Sequence, residues 1–289
     1  MTVVGVVSPG HMGSGLGGAL RDGGARVVAT VRGRSRRTER LAAGLELLPT
    51  LDDVVAAADV VLVVTPPGEA LAAARSVAAA ARRTGVSPLV ADLNAVSPPT
   101  MVAVSEALAP LDVVDGSISG PPPSVRPGAT VYLSGPRAAD VAALPWTGVR
   151  PTIVGAAVGA ASAVKMCTAS VQKGVWALVG HAIATAAANG VLEPVLADVG
   201  SFLRVGDLAR PVASGATKAH RYVAEMREIA ATQRAAGLPG ELFDGFAAAY
   251  QALSGTALAD GDPEGVGTIT VEEVVRLMGV RTAGSAAGG

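Results

Sequence analysis

Along the first half of the chain, short apolar runs alternate with stretches whose apolar positions recur at helical spacing. Strands are predicted over residues 2–7, 26–31, 59–64, 89–93, 113–118, 129–134 and 152–154. Helices are predicted over 11–21, 36–43, 69–83, 99–108 and 137–143. Strand and helix in regular alternation specify a mostly parallel sheet with crossover helices on both faces, a doubly wound α/β domain.

After Gly155 the strand signals stop. Residues 156–188 read as one nearly continuous helix, apolar on most faces. At 1.5 Å per residue it would reach roughly 50 Å, beyond the ~30 Å of a small domain, so a second subunit is expected to cover the excess. Alternatively, Gly174 and Gly180 break it. Further helices are predicted over 194–199, 216–236, 240–253 and 271–278. The expected organisation is a nucleotide-binding domain over 1–155, an all-helical substrate and dimerisation domain over 156–282, and a frayed tail of small residues over 283–289.

Ligands of such sheets gather beyond the carboxyl ends of the strands, so the residues there carry the candidate chemistry. The first strand runs into Ser8, Pro9, Gly10, His11, Met12 and Gly13, in the place of a Gly-x-Gly-x-x-Gly turn whose first glycine is a serine. Gly10 would let the backbone approach a pyrophosphate, Gly13 would let the helix pack on the strand, and the helix-start N–H groups would hold the anion. Glycine-rich turns also serve simply as tight turns. An NAD enzyme places an acid at the end of the second strand for the ribose 2′-hydroxyl. No acid occurs there. The segment holds Arg32, Arg34, Ser35, Arg36 and Arg37, suited to a 2′-phosphate, which makes NADPH (or NADP+) the expected cofactor over a merely solvated arginine run.

Two more strand ends face the same crevice: Thr65 with Pro66, and the block from Asp92 through Asn94 to Pro98. Asn94 offers an amide to a nicotinamide or substrate, or is an ordinary turn residue. The loop containing Ser119, Gly120 and Pro121 has the small hydroxyl and backbone donors that cradle a carboxylate, or is only stiffened by its prolines. On the long helix, Ser162, Lys165, Thr168 or Ala169, and Gln172 make a narrow polar stripe at spacings of three and four. A desolvated lysine there can act as general base or acid; alternatively it snorkels or pairs with a carboxylate.

Composition narrows the function classes. Half of the 289 residues are apolar, enough for a large core, and the net charge of −1 leaves no basic field for nucleic acid or anionic membrane. Residues 174–192 are uncharged for about the length of a bilayer span, yet contain His181, Asn189 and several glycines, so no membrane span is expected. The single cysteine, Cys167, and the lack of a Cys/His cluster fit a reducing, cytoplasmic setting without a metal site. Aromatics are only 3%, which disfavours an aromatic cage, and lysine occurs only at 165, 173 and 218.

Taken in order, the turn from Ser8 to Gly13, the block from Asp92 to Pro98, the loop from Asp115 to Gly120 and the segment from Gly159 to Met166 resemble the β-hydroxyacid dehydrogenase superfamily. That superfamily includes 3-hydroxyisobutyrate dehydrogenase, 6-phosphogluconate dehydrogenase and the imine reductases. The resemblance implies a Rossmann domain followed by a helical domain, a homodimer, and hydride transfer between nicotinamide and the alcohol or carbonyl carbon of a small hydroxy or keto acid. It implies Lys165 as acid/base, Asn94 near the nicotinamide, and Ser119 and Gly120 at the substrate's acidic end. Pro121, Thr168, Gln172 and Lys173 complete the implied substrate surface.

Departures from the pattern bear on the substrate. The family's usual asparagine four residues after the lysine is Ala169, and the acid that 6-phosphogluconate dehydrogenase carries seven after it is Gln172, which speaks against 6-phosphogluconate decarboxylation. Imine reductases tend to carry Asp or Tyr where Lys165 stands, which favours carbonyl chemistry, with imine reduction as the alternative. A cofactor-binding protein that has lost catalysis is the reading of another class. His220 and Arg221, on a late helix, enter a partner's site or lie on the helix surface.

Overall fold

A computed structural model describes residues 1–204, 206–262 and 265–280. The expected tail over 283–289 lies outside the described residues. The chain divides into two compact units, Met1–Cys167 and Thr168–Gly289.

In the first unit, an eight-stranded sheet has the order β3-β2-β1-β4-β5-β6-β7-β8. Strands β1 (Val3–Val7), β2 (Arg26–Ala29), β3 (Glu46–Leu47), β4 (Val60–Val63), β5 (Leu89–Asp92) and β6 (Val113–Ser119) are mutually parallel. Strand β7 (Ala129–Ser134) reverses against β6, and β8 (Val149–Gly155) runs parallel to β7. The expected doubly wound, mostly parallel sheet is therefore present. Order reverses between β1 and β4, the switch point at which such sheets open a crevice.

The inner strands β1, β2, β4, β5 and β6 are buried on both faces, which is why they read as continuous apolar runs, whereas β3 and most of β8 are not. Val4, Val6, Leu16, Leu20, Val27 and Leu62 form a core with helix α1 (His11–Asp22), while Val7, Val61, Val63, Val77, Val90 and Met101 pack on the opposite face. Against that second face lie α3 (Leu51–Ala57), α4 (Ala70–Thr84) and α5 (Pro98–Leu108). The outer elements of this unit are α2 (Arg36–Leu41) and α6 (Ala138–Ala142).

Helix α1 carries glycines in its interior, each costing about 1 kcal/mol of helix propensity against alanine. Close packing explains Gly13, Gly15 and Gly17. A Cβ on Gly13 would come within 2.6 Å of the Ser8 carbonyl oxygen, and one on Gly15 within 3.1 Å of Pro123. Ser8, standing for the first glycine of the turn, adopts φ +64, the left-handed region where a side chain is strained.

Helix α7 (Ala160–Ala188) runs 29 residues without a break at Gly174 or Gly180. Those glycines let neighbours approach: a Cβ on Gly174 would meet the Phe246 ring at 3.2 Å, and one on Gly180 would meet Val212 at 3.4 Å. The helix begins after residues 156–159, Gly159 having φ +106. The later helices are α8 (Leu192–Leu203), α9 (Ala209–Ala216), α10 (Ala219–Ala235), α11 (Glu241–Ser254) and α12 (Val271–Leu277). The helix predicted over 216–236 is present as α10, and the unpredicted α9 precedes it across Thr217 and Lys218. No described helix is long and apolar enough to cross a membrane.

Three elements escaped the periodicity: β3, α3 and the short α9. Strand β3 is two exposed residues, too short to show alternation. Helix α3 is announced instead by its cap: Thr50 Oγ1 accepts from the Asp53 N–H at 3.2 Å, and Asp53 Oδ2 accepts from the Thr50 N–H at 3.0 Å, a capping box.

Candidate functional site

The sequence-predicted residues of the first unit sit at the carboxyl ends of five neighbouring parallel strands. Strand β2 leads to Arg32 and Arg34, β1 to Ser8 and Gly10, β4 to Thr65 and Pro66, β5 to Asn94, and β6 to Ser119 and Gly120. Gly10 is the N-cap of α1, and a side chain there would meet nothing within 4 Å, so the helix start is open to an anion. Pro9 is buried behind it, and Met12 packs against the sheet core. Partial burial, and secondarily the Arg37 charge, hold His11 below the usual histidine range.

A cavity of about 490 Å³ opens beside this helix start. Its lining includes Ser8, Thr30, Arg32, Arg34 and Thr65. Ser35 is occupied otherwise, its hydroxyl accepting from the Thr38 N–H at 3.3 Å as the cap of α2, and Arg36 is exposed on that helix. The Ser8 turn and two arginines on one cavity offer backbone donors and positive charge to an anionic ligand such as a nicotinamide dinucleotide.

Asn94 is 2% exposed and hydrogen-bonded through both its side-chain oxygen and its nitrogen. Its Oδ1 accepts from the Thr65 N–H at 2.6 Å, and its Nδ2 donates to Asp92 Oδ2 at 3.0 Å. The amide therefore laces the end of β4 to the end of β5 and fixes the Thr65 turn. Asp92, itself fully buried, also accepts from the Asn94 N–H at 3.0 Å. Burial, reinforced by Asp115 on the adjacent strand, pushes its carboxyl up to about 7 against the lowering effect of the Asn94 hydrogen bonds.

Asp115 organises the other side of the site. Its Oδ2 accepts from Ser134 Oγ at 2.9 Å, the Gly159 N–H at 2.8 Å and the Ser162 N–H at 3.1 Å, and its Oδ1 accepts from Ser162 Oγ at 2.7 Å. This carboxylate caps α7 from within the sheet, where the helix dipole favours negative charge. Ser117 Oγ donates to the Ala161 carbonyl at 2.7 Å, and the Ala161 N–H donates to Ser134 Oγ at 3.1 Å. One turn beyond Ser162, Lys165 Nζ donates to the Ile118 carbonyl at 2.8 Å. Burial lowers its ammonium below the usual lysine range.

Lys165 is thus brought to the end of β6, next to Ser119 and Gly120, which are exposed, with Pro121 half-buried beyond them. Ser119 pairs with Thr130 across the β6–β7 ladder, and Gly120 has φ +114, turning the chain out of the strand. The capping role of Asp115 and Ser134 went unread in the sequence, although an acid and a serine inside apolar strands signal buried hydrogen-bonding work. Among the described residues no group of three or more His, Cys, Asp or Glu is placed to hold a metal ion.

The remaining candidates lie in the second unit. Thr168 and Gln172 are exposed on α7. Lys173 pairs with Glu225, its ammonium lies 4.4 Å from the centre of the Tyr222 ring, and its carbonyl accepts from the Tyr250 hydroxyl at 2.8 Å. His220 and Arg221 are exposed on α10.

Residues 3–146 match the family model of the NAD binding domain of 6-phosphogluconate dehydrogenase, and residues 186–253 match a domain of unknown function, DUF1932. No curated protein matches the chain. Among solved structures, it is similar to the conserved protein MTH1747, described as of unknown function and structurally similar to 3-hydroxyacid dehydrogenases, with 28% identity over 87% of this chain and 96% of that one and a TM-score of 0.64. A conserved hypothetical protein from Sinorhizobium meliloti 1021 shares 27% identity over 96% of both chains, with a TM-score of 0.63. The fold is also that of Mycobacterium tuberculosis 3-hydroxyisobutyrate dehydrogenase, solved with L-serine, at 21% identity over 96% of this chain and 98% of that one and a TM-score of 0.66.

The raised Asp92 carboxyl gives stability a pH dependence. Between the unfolded value of about 3.9 and the folded value near 7, the folded chain keeps a proton that the unfolded chain has released. Its contribution is full below pH ~4 and is lost as pH rises through about 7. Urea midpoints across this range are expected to decline for the wild type relative to Asp92→Asn; parallel profiles would remove the assignment.

Proposed function

Since the chain is a member of the β-hydroxyacid dehydrogenase superfamily and carries its nicotinamide-dinucleotide-binding domain, we propose that it is an NADPH-dependent dehydrogenase or reductase acting on a small hydroxy or keto acid. The observation that carries the reading is the Lys165 ammonium, desolvated and held by the Ile118 carbonyl at the mouth of the Ser119–Gly120 turn. A bound nicotinamide supplies the hydride acceptor or donor. Lys165, as a neutral amine, takes the hydroxyl proton of the substrate in oxidation and returns it to the carbonyl oxygen in reduction. Its burial favours the neutral form, and its bond to Ile118 fixes the nitrogen in place.

The hydroxyl of Ser119 and the backbone of Gly120 receive the substrate's acidic end, with Pro121 stiffening the turn. Asn94 serves by position, holding the Thr65 turn of the cofactor crevice through its two side-chain bonds. A carboxylate approaching Lys173 competes with Glu225, which already partners that ammonium.

The reading of Lys165 is tested by Lys165→Met. Dinucleotide fluorescence titration is expected to be unchanged, while turnover falls roughly 10²–10⁴-fold, the usual contribution of a general acid/base. Near wild-type turnover by the variant would refute the role. Running keto acids against cyclic imines in the same assay separates this activity from imine reduction, and NADPH binding without turnover on any of them would make the chain a cofactor-binding protein.

Arg32 and Arg34 are the cationic groups proposed to hold the 2′-phosphate. NADPH is expected to bind at least about tenfold more tightly than NADH, with Arg32→Ala/Arg34→Ala bringing the two together, since charge-assisted hydrogen bonds contribute about 1.5–3 kcal/mol each. Tighter binding of NADH to the wild type would overturn the choice of cofactor.

The second unit is proposed to form a homodimer. Helix α8 carries no buried residue although most of it is apolar, Phe202 is 85% exposed, and Val171 and Leu178 on α7 are 67% and 59% exposed. Light scattering should report twice the chain mass, with Phe202→Asp shifting it toward monomer; a monomeric wild type rules the assembly out.

A further inference from the structure

The cavity beside α1 has a wall that the phosphate-binding reading leaves unused. It is formed by the start of α3 and one face of α4, through Asp52, Ala72, Ala73, Ser76 and Arg83. The small side chains of α4 leave room for a planar ring to lie against the helix. Most polar groups along this wall are committed: Ser76 Oγ donates to the Ala72 carbonyl at 2.9 Å, and Thr50 Oγ1 donates to Asp53 Oδ2 at 2.6 Å.

Asp52 differs. Its Oδ1 accepts from Arg83 Nη2 at 2.6 Å and its Oδ2 from Arg83 Nε at 2.7 Å, a bidentate pair that fixes the carboxylate in one orientation. A carboxylate has about four acceptor positions, so lone pairs are left for a further donor. The capping box of α3 uses Thr50 and Asp53, so the helix start does not depend on Asp52. Glu69, the other carboxylate on the lining, is exposed at the start of α4.

We propose that Asp52, oriented by Arg83, reads the exocyclic amino group of the adenine base, so that the crevice selects a 6-aminopurine dinucleotide over its 6-oxo counterpart. The inference rests on the reading of Arg32 and Arg34 as the 2′-phosphate site, beyond which the adenosine end must continue. Arg83 also holds the Asp52 carboxyl below its usual range, which keeps it an acceptor at neutral pH. A 6-oxo base brings a carbonyl oxygen against this carboxylate, two acceptors facing each other.

Fluorescence titrations of the full chain with NADPH, NADH and nicotinamide hypoxanthine dinucleotide phosphate test this directly. The wild type is expected to bind NADPH about tenfold or more tightly than the hypoxanthine form, as loss of a hydrogen bond to a charged group predicts. Asp52→Ala should bring the ratio to one or below while keeping the preference for NADPH over NADH, which shows that the variant is folded and binds dinucleotide. Equal binding of the two phosphorylated dinucleotides to a wild type that still prefers NADPH over NADH overturns the role of Asp52 and leaves the phosphate reading standing. A full ratio retained in Asp52→Ala likewise overturns it. Preference for NADH, with base discrimination still lost in Asp52→Ala, overturns the phosphate reading alone, and binding of none of the three overturns both.

Discussion

A single buried carboxylate, Asp115, sets the geometry of the site. It is fully enclosed, and an enclosed charge is tolerated only when its lone pairs are filled. Here the donors come from the first turn of α7 and from Ser134 on the neighbouring strand, so the interaction that makes the charge bearable also nails the helix start to β6 and β7. With that end fixed, the regular rise of the helix delivers Lys165 to the Ile118 carbonyl at the far end of the same strand.

The chain reaches this arrangement through the one antiparallel pairing in its sheet. Because β7 runs back against β6 and β8 follows β7, Gly155 ends near the amino edge of β6, and α7 starts where Asp115 can cap it. A continued parallel sheet would bring the chain out at the opposite edge. The same economy of side chains recurs around α1, where glycines that weaken the helix let the turn after β1 and the 122–124 loop pack close to it.

Much of this was legible in the amino-acid order. Strands buried on both faces announce themselves as apolar runs, and helices of three turns or more carry clear periodicity, so the doubly wound sheet and the course of α7 could be read directly. Short pieces could not. Strand β3 has no period to detect, and α3 was legible only in the Thr50–Asp53 cap. The positions of Gly10, Arg32, Arg34 and Asn94 at strand ends followed from topology, and that of Lys165 from the polar stripe on α7, but the partners of Asn94 and Asp115 come from residues far apart in sequence, and pairing at such separations leaves no local signature. Lys173 shows the same gap: its polarity marked it as available, while Glu225 and Tyr222 arrive from a helix some fifty positions later.

The reversal at β7 also separates two kinds of change that the protein can absorb. The lysine is placed by a strand and a helix start, and the hydrogen bonds at Asp115 and Ser162 that fix that start draw on neither the loop after Gly120 nor the segment between β7 and β8. Insertions and substitutions in those connections can reshape what the crevice admits while the nitrogen keeps its coordinates. A scaffold of this kind lends itself to drifting among related compounds without rebuilding its proton-handling group.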